Sequence, residues 1–224
     1  MVKYSDLISI KTIENKEKLT EIYEPLLTNH IKGMDDMKIY FKGKIIIRKT
    51  VLNKLMNIQK KLNLVQPDLS LCIFYGYRSQ EIQMKKFKQQ LAIISQKTYY
   101  SNPIDLYEEA HKNIAVPLVA GHPTGGAIDI AIKNTRLNKL LCFGSEIYDF
   151  ASSKNCVFSN EIPNRAKKNR LFLRELMQNE NFAPYDGEWW HFSYGDKEWA
   201  YYYKIQNAIY DQIKLTDIDN FLSD

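Results

Sequence analysis

Two segments constrain this chain more than any others: Ala120-Gly-His-Pro-Thr-Gly-Gly-Ala-Ile-Asp-Ile130 and Gly187-Glu-Trp-Trp-His-Phe192. Together they hold two histidines, an aspartate and a spare glutamate. A catalytic zinc takes three protein ligands from His, Asp, Glu or Cys and leaves its fourth position to water. His122, Asp129 and His191 can supply those three. A carboxylate that is not a ligand must then accept a proton from the water, and Glu188, three residues before His191, is placed for that work. Any fold the chain adopts has to bring these two segments together.

The local pattern shows how it can. Gly125 and Gly126 allow a turn that would bring a loop histidine against a strand aspartate. Over residues 127–132, Ile128, Ile130 and Ile132 occupy one face of a strand and Ala127, Asp129 and Ala131 the other, so the isoleucines face the core and Asp129 the site. Residues 188–194 are aromatic and also read as a strand. On a straight strand Glu188 and His191 point to opposite faces, so a turn or bulge at Gly187-Glu188 is required if both serve one site. Trp189 and Trp190 would either exclude water from a metal or pack in the core. Taken alone, a His and an Asp near two glycines also arise by chance; His191 adds the third ligand.

The 224 residues suffice for one sizeable core, and no Pro, Gly or Ser-rich linker divides them, so 1–224 reads as a single domain. With 45% hydrophobic and 25% charged residues, the composition is that of an ordinary globular protein and argues against disorder and fibrous structure. The net charge of +5 is scattered. Two basic groups, Lys85, Lys86 and Lys88, and Arg165, Lys167, Lys168 and Arg170, read as the wet faces of helices, with no nucleic-acid motif beside them. The amino terminus lacks the apolar core of a secretory signal and no stretch reaches the roughly 18 apolar residues of a membrane span, so the expected address is the cytoplasm. Cys72, Cys142 and Cys156 lack CxxC spacing and sit among apolar neighbours; they are expected to be reduced and buried.

Further elements follow from spacing. Residues 15–23 suggest a short helix in an otherwise unreadable first 35 residues. Val51, Leu52, Leu55, Met56 and Ile58 recur at helical intervals over 51–62. Residues 70–77 form an apolar and aromatic run of strand length, ending at Arg78. Ser79 caps a helix to about Gln96, carrying Ile82, Leu91 and Ile94. A second long helix covers 165–179, with Leu171 and Met177 inward. Helices and short strands without regular alternation imply an α+β domain. His30 and His111, in polar surroundings, are expected to be solvated. Arg78 ends an apolar strand, where its head either meets a carboxylate or solvent, or aims at a carbonyl oxygen that becomes an oxyanion.

Tyr75-Gly-Tyr-Arg-Ser79, Gly121-His-Pro-Thr-Gly-Gly-Ala-Ile-Asp129 and Gly187-Glu-Trp-Trp-His-Phe-Ser-Tyr-Gly-Asp196 resemble, in order, the signature segments of the D-alanyl-D-alanine dipeptidases. These are the VanX-type zinc peptidases, related in fold to VanY-type carboxypeptidases and the hedgehog amino-terminal domain. The resemblance spans about residues 24–203. It implies a compact α+β domain with a small, mainly antiparallel sheet flanked by helices. One zinc would be bound by His122, Asp129 and His191, with Glu188 as general base and Arg78 stabilising the transition state. The implied partner is a small peptide, with neither nucleic acid nor membrane involved. Three positions depart from the family pattern. Ala120 stands where many dipeptidases have Ser, and Ser79 stands where Pro commonly follows the arginine. Phe143-Gly-Ser-Glu-Ile-Tyr148 replaces a segment whose acidic residue is associated with the substrate ammonium, with Asp149 one position late. Tyr148 and Asp149 are therefore left out of the expected site.

The expectation is a zinc dipeptidase acting on D-alanyl-D-alanine or a similar short D-amino-acid peptide. The alternatives are a zinc carboxypeptidase or endopeptidase acting on peptidoglycan stem peptides, and a binding module that keeps zinc only for structure.

Overall fold

The computed structural model describes residues 2–29, 36–150 and 152–222. In chain order the elements are α1 (Tyr4–Ile8), β1 (Lys11–Thr12), β2 (Leu19–Glu21), β3 (Leu27–Thr28), β4 (Ile46–Arg48), α2 (Lys49–Val65), β5 (Leu69–Tyr75), α3 (Gln80–Ser95) and α4 (Pro103–His111). They continue with β6 (Ala127–Asn134), β7 (Lys139–Leu140), α5 (Asn164–Gln178), β8 (Ala183–Pro184), β9 (His191–Ser193), α6 (Lys197–Tyr202) and β10 (Asn207–Ala208). The α+β expectation stands. The main sheet has the order β3-β5-β6-β9-β8, with β7 also paired to β6. Only its β3–β5 pair is parallel.

Helix α2 forms because Val51, Leu52, Leu55, Ile58 and Leu62 make one buried stripe; that stripe packs with Leu71, Ile73, Ile128, Ile130 and Ile132 of the central strands. Leu173 and Met177 of α5 join the same core. At roughly 25 cal/mol per Å² of apolar surface removed from water, this shared cluster is the main source of fold stability. Ser79 accepts the backbone N–H of Ile82 at 3.3 Å and caps α3 as expected.

Several expectations need correction. Residues 15–23 are not helical: Leu19–Glu21 pairs antiparallel with Ile46–Arg48, burying Leu19, and this tertiary pairing overrides local preference. Leu171 is 50% exposed on α5, while Leu173, one face away, is buried. Arg170 belongs to no wet face. It is buried, donating to the carbonyls of Phe143 (2.6 Å) and Cys156 (2.7 Å). The three cysteines are free, but Cys142 is exposed, since the chain leaving the exposed β7 runs along the surface, and Cys156 is half-buried. His111 is buried rather than solvated; His30 lies outside the described residues.

Candidate metal centre

Strand register places the site. On adjacent strands Tyr75, Asp129 and His191 form one transverse row, Tyr75 opposite Asp129 and Asp129 opposite His191. Directly opposed residues of antiparallel strands project from the same face. The register shift between Ile73 and Tyr75 turns Tyr75 into this row. The expected alternation in β6 therefore holds, with Ile128, Ile130 and Ile132 on the core side.

His122 arrives from a tight 3-10 turn, His122–Thr124, that precedes β6. Gly125 closes the turn at φ +74°, a left-handed conformation that disfavours side chains, and an added Cβ would meet Leu19 Cδ2 at 2.4 Å. Glu188 lies outside the strand, in the turn that the sequence required. Its N–H donates to the Tyr185 carbonyl (3.3 Å), and its own carbonyl accepts the N–H of His191 (3.2 Å). That reversal lets Glu188 and His191 line one cleft.

Suitable ligand atoms of His122, Asp129 and His191 all lie within 4.8 Å of one another. His122 Nδ1 is 2.8 Å from the Gly76 carbonyl, to which it donates, leaving Nε2 with a free lone pair directed to the site. That Nε2 is 3.4 Å from Asp129 Oδ2, and His191 Nδ1 is 3.0 Å from Asp129 Oδ1. Tetrahedral zinc ligands about 2.0–2.1 Å from the metal lie about 3.4 Å apart, so the donor set fits such a cation with small adjustments. On the far side of His191, Nε2 is 3.7 Å from Glu198 Oε2.

The pocket shifts the ionisation of all four groups. Burial pushes the Asp129 carboxyl up, yet the neighbouring His122 and His191 hold it well below the usual carboxylate range. Burial pushes His122 down, keeping the neutral form that ligation requires. His191 is pushed up to about 9: burial opposes the charge, but Asp129, Glu198 and Glu188 outweigh it. Burial lifts Glu188 to about 8, with His191 pulling down and Asp129 and Glu198 pushing further up. These shifts come from burial together with charges packed in one pocket, as functional sites arrange them.

Arg78 lies at the same pocket. It is buried, donating from Nη1 to Gln83 Oε1 (2.9 Å) and from Nε to the Tyr75 hydroxyl (3.2 Å), over whose ring it also sits. Its backbone N–H donates to the His122 carbonyl at 3.2 Å, coupling it to the turn that carries His122. The cleft, of about 260 Å³, is lined by all five expected residues together with Ala120, Gln83 and Tyr148.

Sequence reasoning missed four supporting groups. The Tyr148 hydroxyl, left out of the expected site, donates to Asp129 Oδ2 at 2.9 Å. It reaches there because Tyr148 takes φ +66° and packs edge-on against Trp190. Trp189 stacks on Phe143 at 4.2 Å, so both tryptophans are buried behind the site as packing. Tyr75, Gln83 and Glu198 are the others; the Tyr75-Gly-Tyr-Arg segment carried a signal for the first, while Gln83 and Glu198 sit in ordinary helical contexts.

A D-alanyl-D-alanine dipeptidase of Synechocystis is 24% identical over 222 residues, covering 85% of this chain and 90% of the relative. One from Enterococcus faecium is 32% identical over 104 residues, 46% of this chain and 50% of that protein. The LdcB LD-carboxypeptidase structure aligns over 99% of this chain and 98% of its own, at 15% identity and a TM-score of 0.47. The model of the peptidase M15 family, described as D-ala-D-ala dipeptidase, matches residues 26–213. That span holds every residue of the site just described, and the chain belongs to this family of metallopeptidases.

Proposed function

We propose that the protein hydrolyses D-alanyl-D-alanine or a similar short D-amino-acid peptide, with one zinc per chain held by His122, Asp129 and His191. The observation that carries this is the joining of a fitted ligand set to Glu188 and Arg78 in one cleft. When bound, zinc would polarise the scissile carbonyl and make a water acidic near neutral pH.

The chain's own groups would do the rest. Glu188 would accept a proton from the attacking water and pass it to the leaving amine. The Arg78 guanidinium, fixed by Gln83 and Tyr75, would donate to the oxygen that gains negative charge. Tyr148, Gly76 and Glu198 would keep Asp129, His122 and His191 oriented.

A longer stem peptide is the second reading. The cleft continues past Ala120 along α3 to Gln90 and Ile93, leaving room beside the scissile bond. Parallel kcat/KM measurements on D-alanyl-D-alanine and on a pentapeptide stem decide between them. Preference for the dipeptide supports the main reading, and preference for the pentapeptide overturns it in favour of a carboxypeptidase.

A further inference from the structure

Behind the turn that carries His122 lies a second charged assembly with no part in substrate chemistry. Arg48 ends β4 with a guanidinium that is completely buried. All five of its N–H donors have acceptors. Nε donates to the Thr124 carbonyl at 2.7 Å. Nη1 donates to Glu14 Oε1 (3.2 Å) and the Glu17 carbonyl, and Nη2 to Glu14 Oε2 (3.0 Å) and the Asp211 carbonyl (3.3 Å). Its Cζ lies over the rings of Tyr210 (4.6 Å) and Phe221 (5.1 Å). The Arg48 backbone N–H also donates to the Gly125 carbonyl at 2.9 Å.

Thr124 and Gly125 are the two residues that close the turn started by His122. Arg48 thus grips that turn twice from behind, while Arg78 grips its His122 carbonyl from the front. A buried guanidinium is costly unless its charge is matched, and here Glu14 matches it. Glu17 adds to the lock: its carboxylate accepts from the Thr50 N–H and from the Tyr210 hydroxyl (2.6 Å). Glu14 and Glu17 precede the family-matched span of 26–213, and Phe221 follows it.

We propose that Arg48 is a positioning residue for the turn that carries His122, and that Glu14 and Glu17 extend this support into the amino-terminal segment. The terminal segments of this chain complete its metal site from outside the shared domain. The inference rests on reading His122 as a zinc ligand, and it concerns where His122 is held rather than what it binds.

Two variants test it, Glu14→Gln and Arg48→Lys, each compared with wild type by chelator competition for zinc and by the visible spectrum of the cobalt(II)-substituted protein. Lysine retains the charge but loses the planar fork. Support of a ligand's orientation is worth about 10–100-fold in metal affinity, so each variant should lose about 10-fold or more in zinc affinity and kcat, with KM changed by less than about 3-fold. The cobalt bands should shift as the His122 geometry relaxes. If Arg48→Lys does not fold, Glu14→Gln decides alone, because its amide preserves size at a partly exposed position. Variants that melt at lower temperature yet match wild type in zinc affinity and cobalt spectrum overturn the inference and leave Arg48 a purely structural residue. A wild-type protein that binds no zinc overturns the metal reading, and this inference with it.

Discussion

The buried His111 gives the fold a pH dependence that can be worked out in advance. His111 closes α4, is 8% exposed, and accepts the Val116 N–H on Nδ1 at 3.2 Å. Burial pushes its imidazole from 6.5 down to about 4, with Glu108 pulling weakly the other way. The folded protein therefore holds His111 neutral where the unfolded chain would protonate it. Its stabilising contribution is complete above pH 6.5, declines as the pH falls toward 4, and is absent below that. The separation corresponds to roughly 3 kcal/mol in all, about 2 kcal/mol of it lost between pH 7 and pH 5. Glu188 and Glu198, both raised by burial, act in the opposite sense, so the raw curve is a sum. His111→Asn isolates the term, because its amide oxygen can accept from Val116 without titrating. Urea unfolding at both pH values, with chelator present throughout, should show wild type losing about 2 kcal/mol more than the variant, or about 4–8 °C in Tm. Parallel losses in the two proteins would refute the argument. The consequence reaches the site: Val116 follows Ala115, whose carbonyl accepts from the same Gln83 that fixes Arg78.

Other perturbations act nearer the metal. Tyr148→Phe removes the hydroxyl from Asp129 and should weaken zinc binding by about 10-fold, read by chelator competition. Arg78→Lys should lower kcat by about 100-fold or more at similar KM, in steady-state hydrolysis of the dipeptide. Gly125→Ala forces a side chain into a left-handed turn against Leu19 and should cost roughly 2 kcal/mol in chemical denaturation.

The site was legible because its chemistry follows strand periodicity. Asp129 alternates with isoleucines, and the same alternation places it opposite His191 once β6 and β9 pair. The turn at Glu188 was required by geometry alone. What escaped notice depends on contacts between distant segments. Leu19–Glu21 is a strand only because Ile46–Arg48 lies beside it. Tyr148 reaches Asp129 through a left-handed backbone that a run of Glu-Ile-Tyr-Asp does not announce. His111 has polar neighbours in sequence, yet it is buried and accepts the N–H of Val116, a member of the apolar cluster with Phe87 and Ala110. Arg48 follows three isoleucines, and nothing local shows that Glu14, 34 residues away, balances its charge.

The central claim is that Glu188 moves the proton while His122, Asp129 and His191 hold the metal. It is tested most directly by measuring D-alanine release and bound zinc together in wild type and Glu188→Gln. Both proteins should carry about one zinc per chain, with turnover in the variant lower by about 10²–10⁴-fold, the usual worth of a general base. Equal turnover in the two, or a wild type that binds zinc and releases no D-alanine, would contradict it.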